Sequence, residues 1–126
     1  MKAALDASAL LAYLQDEPGS DMVESELANS AMSSVNWAEV VQKSIASGIA
    51  VDNMLDELVA LGFSVLPFTP DDAEMTGRLW MQSKKHGLSL GDRACLSMGL
   101  KLGIPVLTTD RIWAKLSLPL EIRVVR

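Results

Sequence analysis

Hydrophobic positions along the chain change period several times, and each change marks an element. Residues 2–5 (Lys2-Ala3-Ala4-Leu5) end in a short continuous apolar run, as a strand buried on both faces would. A helical pattern follows over 7–14 with Asp6 in capping position, and Asp16-Glu17-Pro18-Gly19-Ser20 breaks it. Met22, Val23 and Leu27 predict a helix over 20–27, and Ala31 to Val35 reads as a strand. Trp37, Val40, Val41 and Ile45 form a helical stripe over 36–47, ended by Gly48. Met54, Leu55, Leu58 and Leu61 form another, ended by Gly62. A strand over 63–68 leads into Thr69-Pro70-Asp71-Asp72, a cap, a proline and early acids that start a helix reaching about Lys85. Gly91-Asp92 opens a helix through Leu102, Ile104 to Leu107 is a strand, a short helix follows Asp110, and 122–125 is the last strand. Short strands alternating with helices predict an α/β fold with a mainly parallel sheet of four to five strands, covered on both faces.

At 126 residues the chain is expected to be a single domain, residues 1–126. With 49% hydrophobic residues but only 5% aromatic ones, its core must be aliphatic and methionine-filled. One cysteine excludes an internal disulfide and fits a reducing compartment. No apolar stretch is long enough to span a membrane, and the N-terminus lacks the pattern of a signal peptide, so a cytoplasmic location is expected. The net charge of −5 is uneven: two basic against ten acidic residues in 1–63, nine against six in 64–126. A polyanion would meet Arg78, Lys84, Lys85, Arg93, Arg111 and Lys115. A chance imbalance accounts for the halves equally well.

The candidate chemistry lies in four acids at element boundaries: Asp6, Glu39, Asp92 and Asp110. In open parallel sheets ligands bind outside the carboxyl ends of the strands, and all four acids map to that edge. Gathered there, they would hold a hard divalent cation such as Mg²⁺ or Mn²⁺, which relieves their mutual repulsion and can activate water beside a phosphate. Each acid also has a local reading. Asp6 and Asp92 are N-cap candidates, Asp110 a turn residue, and Glu39 stands four residues before Lys43 as an exposed helical pair. Ser8 and Thr108 sit two residues from Asp6 and Asp110, placed to orient carboxylates. Arg93 and Arg111 follow Asp92 and Asp110 and are candidates for substrate phosphate, or plain surface residues. His86, the only histidine, is read as a surface or capping residue and Cys95 as a buried small side chain. No nucleophile–histidine set or phosphate-binding glycine loop is present.

Four blocks together resemble the PIN domain, in particular its VapC type of toxin ribonuclease: Leu5 to Leu14, Asn36-Trp37-Ala38-Glu39-Val40, Leu88 to Leu96, and Pro105 to Trp113. The last two blocks are the more specific. The resemblance implies a three-layer α/β/α sandwich and Mg²⁺- or Mn²⁺-dependent endonucleolytic cleavage of RNA, with Asp6, Glu39, Asp92 and Asp110 as the metal-binding set. It further implies a homodimer silenced by a small VapB-type antitoxin. Ile112 and Trp113 stand where some members carry a fifth acid. Tyr13 and Trp37 suit a partner surface, although core filling explains most apolar stripes of these helices. The alternatives are a non-catalytic PIN-like RNA- or protein-binding module and a haloacid-type phosphatase. The phosphatase would need an acid at the position of Ser8.

Overall fold

A computed structural model describes residues 1–126. Five strands form one all-parallel sheet: β1 (Ala4–Leu5), β2 (Ala31–Ser33), β3 (Ser64–Leu66), β4 (Val106–Thr108) and β5 (Ile122–Val124), in the order β3-β2-β1-β4-β5. The register pairs Ala4 of β1 with both Ala31 and Val106, and Leu5 with Leu107, so the shortest strand is the central one. Seven helices cover the sheet: α1 (Ala7–Leu14), α2 (Ser20–Leu27), α3 (Ser34–Ala46), α4 (Met54–Ala60), α5 (Pro70–Arg78), α6 (Trp80–Ser83) and α7 (Leu90–Leu102). Two 3₁₀ turns lie at Lys84–His86 and Arg111–Lys115.

Strand alternation divides the core in two. Leu5, Met32 and Leu107 face α1 to α4, packing on Leu10, Val23, Val40 and Leu58. Ala4, Ala31 and Val106 face the other way, onto Leu79, Leu96, Met98 and Trp113. The result is the three-layer α/β/α sandwich expected from the sequence. Trp113 is wholly buried and Trp37 packs on Phe63 with ring centroids 6.2 Å apart, so both serve the core. Trp80 is half exposed beneath the Lys84 ammonium.

The strands expected over 63–68 and 104–107 span Ser64–Leu66 and Val106–Thr108, and three further boundaries differ from the sequence reading for a visible local reason. The second strand stops at Ser33, because its hydroxyl accepts from the Val35 amide and caps α3 two residues earlier than expected. The helix expected to run from Pro70 to about Lys85 breaks at Leu79 into α5 and α6. The cap of α7 is Ser89 rather than Asp92, which sits three residues inside it.

Candidate active site

The site begins with Asp6, the residue at which β1 ends and α1 starts. Its extended backbone (φ −84°, ψ 173°) lets the carboxylate turn back onto the helix, where Oδ1 accepts from the Ala9 amide at 2.8 Å. The Ser8 hydroxyl donates to Oδ1 at 2.7 Å and the Thr108 hydroxyl, from the end of β4, donates to Oδ2 at 2.6 Å. Thr108 also accepts from the Asp110 amide, and Ser8 accepts from the Thr109 amide, so one network ties β1 to the β4 end. Ser8 and Thr108 thus both hold Asp6, whereas sequence spacing set Thr108 beside Asp110, whose amide donates to its hydroxyl. Asp6 is only 4% exposed. Burial pushes its carboxyl up from 3.8 to about 6, against the hydrogen bonds from Thr108, Ser8 and Ala9, and the negative charge of Asp92 adds to the rise.

Asp92 and Glu39 arrive from opposite helical layers. In α7, Ser89 and Asp92 form a reciprocal capping box: the Asp92 amide donates to Ser89 Oγ, and the Ser89 amide donates to Asp92 Oδ2 at 2.9 Å. In α3, Glu39 makes no ion pair with Lys43; its Oε1 accepts from Asn36 Nδ2 at 2.8 Å. Asn36 was given no role in the sequence reading. It is 1% exposed, and its amide also donates to the Gly91 carbonyl at 2.9 Å, bridging α3 to the first turn of α7. The available signal was an amide three residues before Glu39, on the same helical face. Beneath these acids lies Cys95, fully buried, whose thiol burial holds well above its ordinary value, with Asp6, Asp92 and Glu39 adding to the effect. It is no nucleophile.

Asp6, Asp92 and Glu39 are therefore neighbours, but the four acids do not close into a cluster. No three of them are close enough to hold one ion as the side chains stand. The reason is local: Asp92 and Asp110 are spent on their own helix starts, Asp110 accepting from the Ile112 amide at the exposed rim. The donor set nonetheless suits a hard cation, being all oxygen. None of the four has a cationic partner: the chain's ion pairs join Lys101 to Asp72, Arg123 to Glu26 and Glu121, and Arg126 to Glu17. Of roughly four acceptor positions on a carboxylate, Asp6 uses three, leaving one on Oδ2.

The two arginines behave differently. Arg93 gives its guanidinium to the Thr76 carbonyl at 3.1 Å, in the seam between α5 and α7. Arg111 stays exposed beside Asp110, its Nε 3.4 Å from the carbonyl of Arg126. None of the three principal clefts is lined by any of the four acids. The site is an open sheet edge. No helix is long and apolar enough to cross a membrane.

The model of the PIN domain family matches residues 3–118. No curated protein sequence matches. Among solved structures, the chain is similar to a toxin–antitoxin complex from Klebsiella pneumoniae (TM-score 0.71, 19% identity, covering 96% of this chain and 100% of that one). It is also similar to DNA-bound VapBC from Salmonella typhimurium (TM-score 0.70, 16% identity, 98% and 97% covered). A third is FitAcB from Neisseria gonorrhoeae (TM-score 0.66, 18% identity, 96% of each chain). At these identities the likeness concerns the fold.

Proposed function

The chain belongs to the PIN-domain family, and on that premise we propose that it is a metal-dependent endoribonuclease, the toxin of a type II toxin–antitoxin pair silenced by a VapB-type antitoxin. The observation that carries the reading is Asp6: a carboxylate buried at the carboxyl edge of the sheet, its pKa raised by burial and by the charge of Asp92, and without a cationic partner. Similar structures described as a toxin–antitoxin complex and as a member of the VapBC family of toxin–antitoxin systems support the partner.

Asp6, Glu39, Asp92 and Asp110 would hold Mg²⁺ or Mn²⁺, which when bound supplies an activated water and offsets charge on the scissile phosphate. The chain's own groups do the rest. Ser8 and Thr108 fix both oxygens of Asp6, and the α1 cap prevents the carboxylate from rotating away. Asn36 keeps Glu39 against the α7 start. An open edge suits a polymer backbone better than an engulfed small molecule. Arg111, exposed beside Asp110, would contact backbone phosphate, and the exposed Lys84, Lys85 and Lys115 would extend that contact. Arg93 is committed to Thr76 and belongs to the scaffold.

The dispersal of the acids favours one rival, a PIN-like module that binds RNA or protein without cutting. The test is cleavage of cellular RNA by partner-free protein with Mg²⁺ or Mn²⁺, with a chelator, and with Asp92→Asn. Discrete fragments that need both metal and Asp92 are expected. RNA bound but uncut by folded protein would leave the rival standing.

A further inference from the structure

One contact in the site involves a group that is missing. In α7, residue 91 precedes Asp92 and is a glycine with no backbone need for one, since its φ is not positive. A Cβ built on Gly91 would lie 2.5 Å from Glu39 Oε1, 2.7 Å from Cδ and 2.8 Å from Oε2, far inside contact distance. The Glu39 carboxylate therefore rests on the bare face of the first turn of α7. Gly91 is buried there, and its carbonyl accepts the second hydrogen bond of the Asn36 amide. That amide has only one workable orientation: both neighbours, Glu39 Oε1 and Gly91 O, are acceptors, so Nδ2 must face them. Asn36 Oδ1 is left buried and unpartnered. A buried amide half-satisfied in this way costs stability, and here it holds one acid of the site against the helix that carries another.

We propose that Gly91 and Asn36 are positioning residues for Glu39, Gly91 by the room its absent side chain leaves and Asn36 by its amide. Together they set the separation of the Glu39 and Asp92 carboxylates, which arrive from opposite layers of the sandwich. The inference rests on the reading of Glu39 as a member of the metal-holding set. It distinguishes Gly91 from Gly99 on the same helix. A Cβ at Gly99 would meet Val106 Cγ1 at 2.5 Å in the core, so that glycine serves packing. At Gly91 the obstruction is the end of a flexible side chain, which would swing aside and leave the fold intact.

The test compares Mn²⁺ binding by calorimetry, thermal melting and RNA cleavage for wild type, Gly91→Ala, Asn36→Ala, Glu39→Ala, the Gly91→Ala/Glu39→Ala double variant and Asp92→Asn. Gly91→Ala is expected to bind Mn²⁺ about 10- to 100-fold more weakly, as residues that orient ligands commonly do. Its Tm should be unchanged or higher, because alanine is the better helix former. In the Glu39→Ala background the same substitution should cost nothing further, since both act through one carboxylate. Wild-type Mn²⁺ affinity in Gly91→Ala, an additive double variant, or a lowered Tm would each overturn the inference. Wild-type protein that neither binds Mn²⁺ nor cuts RNA would remove the functional reading beneath it; loss of binding confined to Asp92→Asn would remove the inference alone.

Discussion

The chain contains the same capping device twice, with opposite surroundings. Thr69 and Asp72 open α5 with a capping box; Ser89 and Asp92 open α7 with another, and in each the aspartate takes the amide of its cap at 2.9 Å. Asp72 then pairs with Lys101 at 2.9 Å. The Thr69 amide first, and Lys101 after it, hold its carboxyl below the ordinary value. Asp92 has no cation; it faces Asp6 and, around Cys95, Glu39. Two aspartates with the same local hydrogen bonds are thus a stabilising ion pair in one place and part of a repelling group in the other. Capping explains why an aspartate stands at each position, but a second role is visible only in what else is brought within range.

The comparison can be broken most sharply by activity. Asp92→Asn is expected to lower RNA cleavage by about 100-fold or more, the equivalent of several kcal/mol of charge stabilisation, while Asp72→Asn leaves it within about twofold. Equal losses in initial-rate assays would mean that both act through folding alone.

Next in size is the pH dependence of the metal-free protein. Asp6 ionises at about 6 in the folded state against 3.8 ordinarily, so the folded chain holds this proton more tightly than the unfolded one. The stability linked to it is fully present below pH 3.8 and is lost as pH rises through 6. The loss amounts to roughly 3 kcal/mol. Asp6→Asn removes it, so in chelator the variant should gain on wild type by that order between pH 4 and 7.5 in denaturant melts. A difference that stays flat with pH would refute the burial argument.

The smallest effect concerns the caps themselves. Asp72→Asn should destabilise by about 1 kcal/mol, from a weakened cap and a half-exposed ion pair. Asp92→Asn should cost less than that in chelator, because it also relieves repulsion with Asp6. Paired urea titrations decide, and a larger loss for Asp92→Asn would reverse the ranking.

Much of the molecule was legible in advance, for identifiable reasons. Hydrophobic period, capping residues and terminal glycines located every strand and nearly every helix, because these signals act over a few residues. The misplacements at Ser33, Leu79 and Ser89 fall where a single side chain or turn sets the boundary. Spacing singles out the hydroxyls of Ser8 and Thr108, but that Thr108 donates to Asp6, 102 residues away, is visible only in the fold. Asn36 carries a local signal, Glu39 three residues on, but its second partner, the Gly91 carbonyl, lies 55 residues away, and the contact of Gly91 with Glu39 spans a similar gap. The Glu39–Lys43 pair suggested by helical spacing gave way to Asn36, a shorter and buried donor.

The sequence by itself determined that this is a parallel α/β sandwich with acids at the carboxyl ends of its strands. Periodicity and capping are local, and the strand-then-helix order admits few topologies. Only the tertiary structure decided which acids are neighbours, that Asp6 is the buried one, and that Asp72 is neutralised while Asp92 is not. Those outcomes depend on distance and desolvation between residues far apart in the chain, and electrostatic energy is fixed by both.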